Sequence, residues 1–293
     1  MTDEKPPVVV GYDGSDEADH AVDWAALEAD RLHTGLVVLL ATDTSDAYQA
    51  GRGHSPSIDD RAKAVAEAAA DRARSAISGL SVEARVSGLG PAAALQSASA
   101  TARLIVVGRR SPSPGRLPDA LMGTVQFAVA THAECSVVVV PAEREVGTDP
   151  SEPVVVGVDG SEGSTLALRE AATAASGRDA GLVILCAWKP RASWAKIPLT
   201  NDPASLEEAR RARTSATETM KAARELVERE FPGLGLSDIV AEGRPSTLLA
   251  RESDQASLVV VGARGNGDLP TLLLGSVGRN LIYRSECPVA IIR

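Results

Sequence analysis

Aromatic side chains are nearly missing from this chain. Three Trp, three Tyr and two Phe among 293 residues cannot fill a core. Val, Ile, Leu and Ala must do so, which is the composition of buried parallel strands covered by small-residue helices. Cysteine is scarce as well. Cys135, Cys186 and Cys287 are odd in number and show no CxxC spacing, so they point to neither a disulfide framework nor a thiol metal site. Cys135 and Cys287 stand at matching places before the runs SVVVV and PVAII, as small buried apolar residues would. Histidine is lopsided: His20, His33, His54 and His132 all lie in the first half. A histidine metal or proton-transfer site in the second half is thereby excluded. His54 falls in a Gly/Ser/Pro stretch and reads as solvated.

Long apolar runs are lacking too. None approaches the roughly 18 residues a membrane helix needs. The N-terminal MTDEKPP has no apolar core of a signal peptide. A soluble, cytoplasmic protein without a membrane partner is expected. Basic charge is in deficit: the net charge is −9 and the pI about 5.1. That balance disfavours a nucleic-acid partner. It leaves room for a single nucleotide held by backbone amides, which needs no net positive charge.

What the chain does have is repetition. VVVGYDGS at 8–15 returns as VVVGVDGS at 154–161. Two near-identical strand-turn openings mean two copies of one domain. The length suits two domains, each able to bury its own core. The stretch AEREVGTDPSEP, charged and broken by Pro and Gly, reads as a linker. The expected domains are 1–143 and 153–293, with a linker over 144–152.

The two copies align element by element. Strands at 7–12 and 153–158 precede helices at 16–31 and 162–176. GLVVLLA (35–41) matches GLVILCA (181–187). Polar loops follow at 42–57 and 188–202, where long connections tend to carry function. Long Ala/Arg/Glu-rich helices come next, near 59–78 and 203–230, with Asp59 and Pro203 as starters. A third strand leads to Pro91 or Pro245 at the head of a short helix. RLIVVG and SLVVVG form the fourth strand, and SVVVV and PVAII the last. Apolar strands alternating with helices predict an α/β fold with a parallel sheet covered on both faces. Ligands of such sheets bind outside the carboxyl ends of the strands.

In the second half, GARGNGDLPTLLLGS lies at such an end. Glycines let backbone approach an anion. Free amides and the dipole at a helix start favour negative charge. The Ser276 hydroxyl adds a donor and equally suits a helix cap. From the glycines alone, a phosphate cradle and a tight strand-helix connection are both open. The spacing Gly262-x2-Gly265-x9-Gly275-Ser276 resembles the nucleotide motif of the universal stress protein family. The VGVDGS turn and the Cys-Pro-Val ending agree with it, and the whole chain resembles a tandem, two-domain member of the actinobacterial type.

The resemblance implies two tandem Rossmann-like domains of the adenine nucleotide alpha hydrolase-like class, each with five mostly parallel strands. It implies ATP as the ligand, with Asp159 near the nucleotide; an ATPase reading would have Asp159 help place Mg²⁺. The residues it assigns to the nucleotide are Asp159, Gly160, Ser161, Ala187, Gly262, Arg264, Gly265, Gly275, Ser276 and Val277. Their counterparts in the first half are Asp13, Gly14, Ser15, Ala41, Gly108, Gly123 and Thr124. It also implies pairing of the two domains through Val137–Val140 and Val289–Ile292, and a homodimer of the whole chain is a further expectation. For Asp159 a helix cap followed by a glycine turn is the competing reading; for Arg264 it is a solvated surface arginine.

The first half departs from the motif. In GRRSPSPGRLPDALMGT, Ser111 replaces the second glycine and eleven residues rather than nine precede Gly123. Pro112, Pro114 and Pro118 remove amide donors. Arg109, Arg110 and Arg116 either replace them as phosphate ligands or form a solvated basic loop. Weaker occupancy is expected there. Trp188 and Trp194 flank the second long loop and suit either adenine stacking or packing. Arg210, Arg211 and Arg213, interleaved with Glu207, Glu208 and Glu218, read as a salt-bridged surface. A nucleotide-dependent binding module accounts for most of these features. A slow ATPase or phosphotransferase and a structural dimerisation protein are the alternatives, and no catalytic residue is assigned.

Overall fold

The computed structural model describes residues 5–43, 56–109, 125–141, 151–189, 203–266 and 274–293. The chain divides into two compact units, Met1–Val146 and Gly147–Arg293. Unit 1 runs β1 (Val8–Tyr12), α1 (Asp16–Arg31), β2 (Leu36–Ala41), α2 (Pro56–Ala76), β3 (Val82–Ser87), α3 (Pro91–Ser99), β4 (Leu104–Arg109), α4 (Val125–His132) and β5 (Ser136–Pro141). Its strands lie in the order β3-β2-β1-β4-β5, all neighbours parallel.

Unit 2 repeats the plan with β6 (Val154–Gly157), α5 (Glu162–Ser176), β7 (Leu182–Trp188), α6 (Pro203–Glu230), β8 (Leu236–Glu242), α7 (Pro245–Glu252), β9 (Leu258–Gly262), α8 (Ser276–Arg284) and β10 (Val289–Ile292). The order is β8-β7-β6-β9-β10, again with every neighbour parallel. The strand order reverses between β1 and β4, and between β6 and β9. Chain connections leave those pairs in opposite directions, and the crevice this opens is where such sheets take ligands.

The reason for the fold is visible in the side chains. Val154, Val155 and Val156 are at most 1% exposed. Covering a Val fully contributes about 1.5 kcal/mol or more. The helices that cover the strands bury alanines: Ala21, Ala25 and Ala29 in α1, and Ala167, Ala171 and Ala175 in α5. Small side chains let those helices lie close to the sheet, so few aromatics are needed. Among the described residues no helix is long and apolar enough to cross a membrane.

Two expectations shift. α2 begins at Pro56, ahead of Asp59. Proline suits a first helical position because its missing N–H would have no intrahelical partner anyway. Cys287 is buried as expected, but Cys135 is only half-buried.

Candidate nucleotide cleft of unit 2

The carboxyl ends of β6, β7 and β9 surround a cleft of about 190 Å³. Eight of the residues expected at a ligand line it together: Asp159, Ala187, Gly262, Arg264, Gly265, Gly275, Ser276 and Val277. Gly160 and Ser161 do not. Ser164, Leu185, Pro245, Leu249 and Gly278 line it without having been expected. Ser164 had a signal in the repeat, because unit 1 carries Ala18 at the matching position.

The turn after β6 explains the split. Gly160 has φ +80°, a left-handed conformation that glycine adopts without steric cost. Ser161 is the N-cap of α5, and its hydroxyl accepts from the Ser164 N–H at 3.1 Å. These two residues therefore shape the turn and start the helix, while Asp159 faces the cleft. The Ser161 N–H donates to Asp159 Oδ1 at 3.0 Å, and the Asn266 N–H donates to Oδ2 at 2.7 Å. Partial desolvation pushes the Asp159 carboxyl up. Hydrogen bonds from the Ser161 hydroxyl and the Asn266 and Ser161 amides outweigh it, so its pKa lies below the ordinary value. Behind Ala187, burial and the nearby Asp159 charge push the Cys186 thiol up to about 11.

The glycines do different jobs. A Cβ on Gly262 would meet the Gly163 carbonyl oxygen at 2.7 Å, so this glycine lets β9 end against the first turn of α5. A Cβ on Gly265 would meet Asp159 Oδ2 at 2.5 Å. Gly275 is the N-cap of α8 and its N–H donates to the Ala263 carbonyl at 2.8 Å. Gly275 has no side chain with which to cap α8, and Ser276 is its first helical residue rather than its cap. The first-turn amides and the positive end of the helix dipole thus meet the cleft, where a negative group is favoured. Arg264 is exposed at the same place. Trp188 is half-buried and is not part of the lining; its carbonyl accepts from the Gly243 N–H at 2.9 Å.

Unit 1 keeps the turn. Gly14 has φ +80°, and Ser15 caps α1 by accepting from the Ala18 N–H at 3.3 Å. Asp13 Oδ1 accepts from the Ser15 N–H at 3.1 Å and from its hydroxyl at 2.5 Å. A Cβ on Gly108 would meet the Glu17 carbonyl oxygen at 2.5 Å, the same close approach that Gly262 makes. Ala41 ends β2, half-buried. The expectations for Arg110, Ser111, Pro112, Pro114, Arg116, Pro118, Gly123 and Thr124 lie outside the described residues, as do those for His54 and Trp194. Arg211 pairs with Glu207 at 3.2 Å on the surface of α6, as its charge pattern suggested.

The family model of the universal stress proteins matches residues 6–141 and again 150–293. The chain belongs to the universal stress protein family. A universal stress protein of Mycobacterium tuberculosis is 31% identical over 305 residues, which cover 98% of this chain and 96% of the relative. Another, of Mycobacterium bovis, is 30% identical over 294 residues, with coverages of 98% and 96%. Among solved structures, a universal stress protein of Archaeoglobus fulgidus superposes with a TM-score of 0.70 at 19% identity, covering 99% of this chain and 97% of that one. A universal stress protein structure from Pseudomonas aeruginosa gives 0.60 at 16% identity, with coverages of 98% and 93%. At such identities the two structures bear on the fold, and the relatives that match along nearly their whole length are likewise universal stress proteins.

Proposed function

We propose that unit 2 binds an adenine nucleotide, with ATP the principal form, and that the protein is a nucleotide-dependent binding module of the stress response. The observation that carries this reading is the meeting of unlike surfaces in one cleft. Ala187, Leu185, Leu249 and Val261 offer an apolar wall against which a base can lie. Gly275, Ser276 and Val277 bring the start of α8, with glycine at its N-cap, to the other side, where phosphate is favoured. Arg264 adds a guanidinium suited to phosphate oxygens.

The residues fit Mg²⁺ less well. Both Asp159 oxygens already accept N–H donors, which leaves this carboxylate fewer lone pairs for an ion. No step is assigned to the ion. Nucleotide occupancy would act by shifting the protein between states that bind it differently. Pairing of the two domains through Val137–Val140 and Val289–Ile292, a homodimer of the chain and a cytoplasmic location complete the proposal.

Denaturing the purified protein and assaying the supernatant tests the reading. Adenine nucleotide should copurify, or ATP should bind saturably on titration. Neither nucleotide nor binding would overturn it.

A further inference from the structure

Asn266 grips one residue twice across 107 positions of sequence. Its N–H donates to Asp159 Oδ2 at 2.7 Å, and its side-chain Nδ2 donates to the Asp159 carbonyl at 2.7 Å. Between this anchor and the end of β9 lies Gly265, where a Cβ would stand 2.5 Å from Oδ2. Real Cβ atoms essentially never come that close, so only glycine lets the carboxylate reach over the loop. Asp159, Arg264 and Gly265 line the cleft, whereas Asn266 does not. A residue outside the lining thus fixes the backbone inside it.

Unit 1 lacks both parts of this arrangement in its sequence. Counting from Gly108 as from Gly262, Ser111 stands at the place of Gly265 and Pro112 at the place of Asn266. Proline has no N–H to donate. Among the described residues, Asp13 Oδ1 takes the Ser15 N–H and hydroxyl.

We infer that Asn266 is a positioning residue: through Asp159 it clamps the start of the glycine loop of unit 2 and presets the cleft for its nucleotide. The inference rests on the nucleotide reading of the cleft. A loop already held in its binding shape costs less to order when ligand arrives, so the clamp acts on affinity. It also gives the second glycine of the motif a reason of its own: the glycine accommodates the carboxylate as well as any phosphate.

A double-mutant cycle with ATP as the probe separates these roles. In the native background, Gly265→Ala should weaken ATP binding roughly 10- to 100-fold, because the added methyl displaces a charge-assisted hydrogen bond. In the Asp159→Ala background the same change should cost less than about threefold, since the two sites are coupled. An equal penalty in both backgrounds would mean that the glycine serves the phosphate alone and would overturn the clamp.

Hydrogen exchange on the nucleotide-free protein reads the contact without ligand. A peptide spanning residues 264–266 should be protected in the native chain and exchange faster in Asp159→Ala and Asn266→Pro. Unchanged exchange overturns the clamp. If Asp159→Ala does not fold, Asn266→Ala deletes only the side-chain tie. It should then weaken ATP binding a few-fold, on the order of one neutral hydrogen bond, and speed exchange; no change in either measurement overturns the inference. The two failures are distinguishable. A native protein that binds no ATP yet shows the protection loses the nucleotide reading and the presetting role, while one that binds ATP without the protection loses only the clamp.

Discussion

Gly108 and Gly262 stand in the same trap. Each stands at the carboxyl end of a strand, so close to the first turn of its own unit's first helix that a Cβ would meet a backbone oxygen, at 2.5 Å for Glu17 and 2.7 Å for Gly163. Backbone cannot swing aside as a flexible side chain can. Gly108→Ala and Gly262→Ala should therefore each destabilise the protein by about 1–3 kcal/mol in denaturant melts, the usual range for overpacking. Equal tolerance of alanine at both would contradict this. The first glycine of the motif thus marks the fold in either unit, and the nucleotide distinction must come from residues beyond it. Asp159 gives a second residue-scale test. Its folded pKa lies below the ordinary value, so the folded state favours the charged form. The stability it contributes is complete above the ordinary aspartate range and is lost as pH falls through the lowered folded value. In urea melts the gap between native protein and Asp159→Asn should stay constant at neutral pH and shrink only in acid. A gap that closes near neutrality would refute the assignment. The sequence showed that Asp-Gly-Ser marks a turn, but not how its members divide the work. That division depends on Asn266, which arrives from a distant part of the chain.

Elements repeat more faithfully than the contacts between them. α1 and α5 each begin after a left-handed glycine and a serine cap. Both were legible from the Asp-Gly-Ser turn before each, whereas the caps at Ser15 and Ser161 came from the structure. Ser15→Ala should cost about 1 kcal/mol in thermal or urea melts, the usual loss for a serine cap. No change would show that the start of α1 is held by tertiary packing alone. The bridges between neighbouring helices are not repeated. Asp23 of α1 pairs with Arg72 of α2 at 2.6 Å, whereas Arg169 of α5 pairs with Glu230 of α6 at 2.9 Å, with the charges exchanged. Both pairs are substantially exposed, so solvent screens them and they bear little on stability. Sequence could not foresee them, because surface pairs drift freely while the apolar faces stay fixed. Leu249 was missed in the cleft for a related reason. It reads as an ordinary core residue of α7, and its Cδ1 would lie 2.8 Å from a Cβ on Gly157, as Leu95 would lie 2.9 Å from one on Gly11.

At the scale of the whole molecule, one plan is built twice and equipped unequally. The opening repeat, the parallel sheet that follows from βα alternation and the position of the glycine loop were all readable in the residues, whereas the strand order came from the structure. The inequality was readable only as an expectation, from Ser111 and the prolines. Unit 2 adds the physical content: a glycine N-cap on α8, a cleft between β6 and β9, and an aspartate tied to the loop through Asn266. One strong nucleotide site per chain is therefore expected, in the second unit. Calorimetric titration of ATP into nucleotide-stripped native protein, Gly275→Ala and Gly123→Ala tests this most directly. Gly275→Ala should lose most of the binding and Gly123→Ala should keep it. Loss with Gly123→Ala and retention with Gly275→Ala would contradict a single strong site in unit 2.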